Sequence, residues 1–273
     1  MRVVQIALLL VSLFFSIESI AGLSEIKGSN NQLGFQAMIT NMDYLETGNG
    51  ILGAKGAKLD SETGNVSGNS MFFSRMWGSK NNYFAAQYSS SSGYTKYVGA
   101  LISGGTYGSI VSRSSATLTD YSARLGLGFV AAVSRDEIML TPHVELGHHE
   151  WYRGVNRGED YTHQYVGLGV LLQYSPVQSS LVYSARGLIG MTFGSYIDVT
   201  GVFAGPLGNS SLYMAGLSVD YAFTKIIHLN LGAEYLSFSY GSSELYPYAG
   251  GYVGEPESTS TYLIYKAGMG ISF

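Results

Sequence analysis

Apolar and polar residues alternate along most of this chain. From residue 121 to 133 the odd-numbered positions carry Tyr, Ala, Leu, Leu, Phe, Ala and Val, while the even-numbered ones are mostly Gly or small. The same period of two recurs at 138–152, 166–174, 213–223 and 227–235, and in the closing stretch TYLIYKAGMGISF. Such alternation predicts β-strands that each have one apolar face.

The second face of these strands distinguishes two kinds of β-protein. A soluble β-sandwich needs a well-charged exterior, but charged residues are only 12% of this chain and hydrophobic residues are 46%. The second face instead combines Gly and small polar residues with single charges, which is typical of the lumen side of a transmembrane barrel. The predicted strands are also longer than the roughly 5–6 residues common in sandwiches. The pattern therefore favours an all-β, antiparallel transmembrane barrel.

The connections between strands are of two lengths, and this predicts the topology. Short turns fall at 78–82, 134–137, 175–178 and 224–225, and longer polar segments at 43–66, 92–119, 154–160, 200–209 and 241–258. Four short and five long connections predict ten strands, with the long loops outside the cell. Eight strands is the alternative, because the Ser- and Gly-rich stretch around 83–112 is poorly patterned.

The beginning of the chain has the composition of an export signal. Arg2 precedes an apolar stretch, and Ser19 and Ala21 place small residues before a cleavage point. We predict a signal peptide at 1–21, a short periplasmic segment at 22–32 and the barrel at 33–273. No later apolar run is long enough for a membrane-spanning helix. The sequence has no cysteine, so the prediction includes no disulfide.

The last strand carries a more specific motif. Its alternating residues include Tyr265, Met269 and Ile271, and it ends on Phe273. This resembles the C-terminal signature of bacterial outer-membrane proteins, and with the signal sequence the chain resembles the outer-membrane β-barrel superfamily, in particular small OmpA-type and opacity-type surface barrels. The resemblance implies the outer membrane of a Gram-negative bacterium. It also implies contacts with lipid and lipopolysaccharide, and recognition of Phe273, Ile271, Met269 and Tyr265 by the barrel-assembly machinery.

Seven charged side chains are predicted to point into the lumen. They are Arg75, Arg124, Glu145, Arg186, Asp220, Glu234 and Lys266. Four positive and three negative charges nearly cancel, and in a narrow lumen they must pair or contact water. We interpret them as a polar network that holds the barrel shape, the alternative being a narrow ion path.

The stretch HVELGHHEWYRG, residues 143–154, is the richest in potential ligands. Period two divides it, with His143, Glu145 and His149 on one face and His148 and Glu150 on the other. Zinc needs three or four converging ligands, so we predict no metal and no cofactor. Outer-membrane proteases of the omptin family use paired acidic residues and a His–Asp pair at the rim. This sequence has no Asp-Asp or His-Asp dipeptide, so that resemblance fails and no catalytic group is predicted.

The function expected from sequence is therefore a structural, adhesion or host-interaction role at the cell surface. Its ligand would bind through loops 43–66, 92–119 and 241–258, where Tyr, Gly and Ser favour recognition. A small porin or channel is the first alternative, and an outer-membrane enzyme with His148, His149 and Glu150 at the rim is the second. The net charge of −4 gives no electrostatic footprint for nucleic acid.

Overall fold

The computed structural model describes residues 25–100, 105–133, 136–176 and 179–273. A short helix, α1 (Glu25–Ser29), precedes fourteen strands. The strands are β1 (Gln32–Thr47), β2 (Lys58–Trp77), β3 (Asn82–Gly99), β4 (Ile110–Leu127), β5 (Phe129–Val133), β6 (Asp136–Arg153), β7 (Glu159–Ser175), β8 (Leu181–Val199), β9 (Phe203–Pro206), β10 (Ser211–Ala222), β11 (Ile227–Tyr240), β12 (Tyr246–Tyr248), β13 (Gly251–Val253) and β14 (Glu257–Ser272). The predicted signal peptide at 1–21 lies outside the described residues.

The strands close into a barrel of ten wall strands. Every neighbouring pair is antiparallel, and β14 returns to pair with β1 from Gln32↔Ser272 to Thr47↔Glu257. β4 and β5 both pair with β6, and β9 and β10 both pair with β8, so each of these couples forms one wall strand in two segments. The hairpin β12–β13 lies apart, in the β11–β14 connection. The fold confirms the predicted ten strands over the eight-strand alternative.

The outward face of the wall carries an apolar belt. On β7 the outward positions from Val166 to Tyr174 are apolar, and Leu168 is 71% exposed. Tyrosines mark both edges of the belt, with Tyr174 and Tyr183 stacked at the end where the turns are short. The other belt residues are Leu33, Phe35, Ile39, Met71, Leu125, Leu127, Leu140, Val144, Leu146, Ile189, Met191, Leu217, Leu229, Leu231, Leu263, Met269 and Ile271. Exposed apolar side chains between aromatic girdles are typical of a lipid-facing barrel.

Most wall strands continue well beyond this belt. On β7, Gln164, Thr162 and Asp160 follow Val166 on the outward face, and β7 has 17 residues where about 9–11 suffice to cross a membrane. The predicted loops 43–66 and 92–119 were therefore too long. β1 runs to Thr47 and β2 starts at Lys58, while β3 runs to Gly99 and β4 starts at Ile110. These loops were predicted too long because the wall strands are also polar on their outward face above the belt. Apolar and polar positions therefore no longer alternate there.

The connection at 241–258 also contains more structure than predicted, since the β12–β13 hairpin and the first residues of β14 fall within it. Two of the predicted short turns lie partly outside the described residues, at 134–135 and 177–178. The shorter connections, α1 and the end of β14 share one end of the barrel, here called the short-turn end. The other is the long-loop end.

The segment predicted as periplasmic, 22–32, does not simply lead into the barrel. Its described part forms α1, which contacts β7, β8 and β10 and buries Ile26 against the inside of the wall. The Asn30 amide donates to Gln173 Oε1 at 2.6 Å, and Asn31 Oδ1 accepts from the Met76 backbone N–H at 2.8 Å. The helix therefore fills the short-turn end of the lumen.

Of the helices that the described ranges contain, none is long and apolar enough to cross a membrane.

The residues of the predicted assembly signal line the outer side of β14. Tyr265, Met269 and Ile271 are each exposed by half or more, and the Phe273 ring stacks on Phe73 at 5.7 Å between centroids. The Phe273 backbone N–H also donates to Asn31 O at 3.2 Å. These contacts leave the apolar face of the last strand open to lipid.

Replacing a belt residue by arginine tests the outward assignment. We expect Leu168→Arg to destabilise the assembled barrel by about 2–4 kcal/mol, because it places a cation in lipid. Thr162→Arg is the matched control, since it lies on the same face of the same strand above the belt. The measurement is the denaturant midpoint of the folded, heat-modifiable species. Equal midpoints for the two variants would contradict the belt.

Candidate functional site

Five of the seven predicted lumen charges come together as one chain of ion pairs, here called the ionic network. Arg124 and Arg186 both approach Glu145 Oε2, at 3.3 and 3.2 Å. Arg186 also reaches Glu234 Oε2 at 3.0 Å, and Lys266 Nζ lies 3.6 Å from Glu234 Oε1. All five point inward because each occupies the inward parity of its strand, which is β4, β6, β8, β11 or β14. Each charge has an opposite charge within 3.6 Å, which offsets part of the cost of burying it.

The other two predicted lumen residues lie elsewhere. Asp220 is inward but belongs to a separate group, where it accepts from Gln32 at 2.9 Å and contacts His228 Nδ1 at 2.6 Å. Arg75 does not point inward as predicted. It shares the outward parity of Met71 and Trp77 on β2, whereas the alternate residues Ser74 and Met76 are buried. The adjacent pair of phenylalanines before it made the parity ambiguous in the sequence, since Phe72 in fact faces inward over Gly34.

Above the ionic network, toward the long-loop end, rings fill the lumen. This aromatic layer consists of His149, His163, Phe238, Tyr240 and Tyr262, all nearly fully buried. The His163 ring lies 4.6 Å from Phe238 and 5.1 Å from His149, and His163 Nδ1 is 2.8 Å from the Tyr240 hydroxyl. These rings come from β6 and β7 on one part of the wall and from β11 and β14 on another, so they contact each other across the lumen.

The sequence stretch 143–154 is divided as its alternation predicts. His143 and His149 are buried inside, whereas His148 and Glu150 face outward and bond to each other at 2.9 Å. His149 Nδ1 contacts Asp120 Oδ1 at 2.6 Å, and its Nε2 lies 3.3 Å from the Tyr262 hydroxyl. This pair does not appear as a His-Asp dipeptide in the sequence, because Asp120 and His149 lie opposite each other on the paired strands β4 and β6. In the described part of the chain, no group of three or more His, Cys, Asp or Glu could hold a metal ion.

A second charged site lies still higher, above the belt, and is centred on one arginine. Arg153 is completely buried and donates to four carboxylates. Its Nε bonds Glu62 at 2.8 Å and its Nη2 bonds Asp60 at 2.9 Å, while Nη1 reaches Glu159 at 2.9 Å and Glu46 at 3.3 Å. The guanidinium has the planar array of donors that such a shared contact requires.

A fifth carboxylate reaches this site from the β11–β14 connection. Glu255 Oε1 accepts from the Tyr161 hydroxyl at 2.7 Å and from the Tyr44 hydroxyl at 3.0 Å. The rings of Tyr44 and Trp151 flank the arginine, with their centroids 4.5 and 5.0 Å from its Cζ. We call the set the mouth cluster, made of Glu46, Asp60, Glu62, Arg153, Glu159 and Glu255.

The mouth cluster holds far more acid than base. With all groups ionised it would combine five negative charges with one positive charge, out of contact with bulk water. Burial outweighs the attraction of Arg153 and raises the pKa of Asp60 to about 6. Burial, followed by the like charge of Glu159, raises the pKa of Glu255 to about 7, and burial also raises the pKa of Glu46. Protons therefore supply part of the neutralisation that one guanidinium cannot.

No residue of the mouth cluster was predicted as a site residue from the sequence, because most of its members lie in segments that were predicted as loops. The sequence nonetheless contained a signal, because pairs of these residues are spaced two positions apart. Asp60 and Glu62 share one strand face, Trp151 and Arg153 share another, and Glu159 and Tyr161 share a third. Carboxylates, rings and a cation repeated on alternate residues of three strand ends predict a common inward site.

Among the cavities that the described residues enclose in the lumen, two adjoin the ionic network. One of about 190 Å³ lies between α1 and the ionic network and is lined by polar side chains such as Asn30, Gln173 and Lys266. A smaller one of about 50 Å³ lies between the ionic network and the aromatic layer. Side chains of the network line both cavities, so the network separates them.

Comparison with known proteins supports the fold. No protein-family model and no curated protein matches the chain. Among solved structures it is similar to the outer membrane protease OmpT from Escherichia coli, with a TM-score of 0.54 and 8% identity over 93% of this chain and 99% of that chain. Lower scores relate it to the beta domain of the Bordetella autotransporter Brka (TM-score 0.40, 16% identity, 89% of this chain and 100% of that one). They also relate it to Ail of Yersinia pestis (TM-score 0.32, 9% identity, 89% and 99%).

The class of protein follows from these observations together. A closed antiparallel barrel of ten wall strands, an apolar outer belt and the likeness to OmpT define an outer-membrane β-barrel fold. This confirms the fold class and is in keeping with the predicted outer-membrane localisation. In barrels of this kind the short turns face the periplasm, so we expect the long-loop end, with its mouth cluster, to face outward from the cell.

Removing the central acid of the ionic network tests its contribution. We expect Glu145→Gln to lower the free energy of unfolding by about 3 kcal/mol, since it leaves Arg124 and Arg186 without their shared charge. Glu150→Gln is the control, because that side chain is half exposed on the outer wall. Denaturant unfolding in detergent, followed by tryptophan fluorescence, measures both. A loss no larger than that of the control would show that the network is structurally unimportant.

Proposed function

We propose that this protein acts through its extracellular face, in adhesion or another surface-binding role, and does not conduct solutes. The observation that carries the proposal is the occupation of the lumen by side chains at successive levels, with cavities of about 190 and 50 Å³ between them. Helix α1, the ionic network, the aromatic layer and the mouth cluster follow one another along the axis. On β6 alone, the inward residues Glu145, His149 and Arg153 each belong to a different one of these layers.

The long-loop end offers a surface suited to recognition. The β12–β13 hairpin presents Tyr248 and Tyr252, and Tyr252 is 74% exposed. Its base is fixed, because the Tyr246 ring stacks on Phe203 at 5.2 Å. Exposed tyrosines on a supported hairpin give rigid contact area beside adaptable Gly and Ser groups. Of the loops predicted to bind a ligand, the one at 241–258 therefore supports the proposal best.

The likeness to OmpT, a protease, does not lead us to propose an enzyme. Both ring nitrogens of His149 already have partners, in Asp120 and Tyr262. The mouth carboxylates are likewise held by Arg153 and by tyrosine hydroxyls. Groups so fully engaged with one another favour a structural role.

Conductance separates this proposal from the channel alternative. Purified protein in planar bilayers is expected to give no single-channel steps above background, because buried charges and rings occupy successive levels of the lumen. Leu168→Ala, a change on the lipid face, is the matched control and is expected to behave in the same way. Regular conductance steps from the unmodified protein would overturn the sealed barrel.

Binding tests the proposal directly. Cells that produce the protein are expected to attach to matrix-coated or host-cell surfaces better than cells without it. The double variant Tyr248→Ser and Tyr252→Ser should lose at least half of that gain, because it removes the exposed rings. Tyr152→Ser is the control, since Tyr152 has the same exposure as Tyr248 but lies on the barrel wall. Equal attachment with and without the protein would contradict the proposed function.

A further inference from the structure

The β11–β14 connection, residues 241–256, crosses the extracellular end of the barrel. We call it the lid segment. On one side Tyr246 stacks on Phe203 in β9, and on the other Gly254 lies close to Leu52 of the β1–β2 connection. Two hydrogen bonds brace the segment internally, from the Glu255 N–H to Ser243 Oγ at 2.8 Å and from the Ser243 N–H to Glu255 O at 3.0 Å. The segment thus lies over the mouth as one connected piece.

Glu255 is the side chain that ties the lid segment down into the lumen. It is only 6% exposed, and its carboxyl oxygen accepts hydrogen bonds from Tyr44 of β1 and Tyr161 of β7. By contrast, Glu244 of the same segment and Glu257, the first residue of β14, are exposed. The lid segment therefore places one acid, and not its neighbours, in the mouth cluster.

The surroundings of Glu255 are dominated by other acids. Facing groups come from β1 (Tyr44, Glu46), β2 (Asp60, Glu62), β3 (Tyr97), β6 (Arg153) and β7 (Glu159, Tyr161). Arg153 is the one cation among them, and its hydrogen bonds go to the four other carboxylates and to Tyr161. An ionised Glu255 would thus meet like charges that the arginine offsets only in part.

From this geometry we propose that the lid segment is a pH-controlled cover, held on the mouth while the Glu255 carboxyl is protonated and released when it ionises. The dependence of the lid segment's position on pH is a property of the barrel itself and does not require the proposed function. Its consequence for attachment to surfaces rests on the proposed function, because the lid segment carries the exposed tyrosines.

The direction of the pH effect follows because the Glu255 carboxyl binds its proton more tightly when the lid segment is closed than when it is released. Burial and the like charge of Glu159 raise the pKa of Glu255 to about 7 in the closed state, whereas a released, solvated Glu titrates near its ordinary value of about 4.3. Closure is therefore fully favoured below that ordinary value and is weakened as the pH rises toward 7. A single group with this shift changes the ratio of open to closed by roughly 500-fold.

The experiment measures lid position without any binding partner. Because the chain has no cysteine, Lys96→Cys on the outer wall and Tyr252→Cys on the lid give a clean pair of spin labels. Pulsed EPR of the full barrel in nanodiscs, from pH 4.5 to 8.5, is expected to show a narrow distance distribution at acid pH. Between pH 5 and 7 it should broaden toward longer distances, and it should then level off.

Two substitutions in this labelled background isolate Glu255. Glu255→Gln keeps an oxygen that accepts from the tyrosines but cannot ionise, so its distribution should stay narrow at every pH. Glu244→Gln, an exposed acid of the same segment, should follow the parent. A parent distribution that does not change with pH, or a Glu255→Gln variant that changes as the parent does, overturns the proposal. A lid that moves as expected on a protein that attaches to nothing would count against the proposed function alone.

Discussion

The backbone hydrogen bonds between β1 and β14 are the constraint on which the rest of the structure depends. Inside a lipid bilayer no water can satisfy an open sheet edge, so a membrane-spanning sheet must close on itself. Here closure is achieved by sixteen paired positions between the first and last wall strands, from Gln32↔Ser272 to Thr47↔Glu257. Closure in turn fixes which residues of every strand face lipid and which face the lumen.

A closed barrel of this size must then fill its own interior. Gly34 and Gly147 show how closely the filling is packed, since Phe72 lies over the first and the Tyr165 ring over the second. Large rings placed over glycines let the side chains of neighbouring strands pack inside the lumen. The charges that remain inside are arranged so that each carboxylate of the ionic network contacts two cations, which offsets the cost of desolvation.

The two charged sites differ in balance, and this difference bears on function. In the ionic network three cations meet two carboxylates, and the contacts tie five wall strands together. In the mouth cluster five carboxylates surround one guanidinium, and one of them, Glu255, belongs to a connection and not to the wall. A balanced site inside the membrane stiffens the barrel, whereas an acid-rich site at the water boundary is sensitive to protons. The first suits a sealed scaffold and the second suits a surface whose shape responds to its surroundings.

The sequence by itself determined the strand class, the number of wall strands and the lipid-facing residues, because lipid on one side and a lumen on the other impose a period of two. It also predicted five members of the ionic network, since each lies within a clearly alternating strand. The structure alone decided how far the strands run past the belt, that Arg75 faces outward, and that His149 meets Asp120. It alone assembled the mouth cluster, from β1, β2, β6, β7 and the lid segment. Above the belt both faces of a strand contact water or polar groups, so the alternation vanishes, and cross-strand neighbours are set by register, which no single segment of sequence contains.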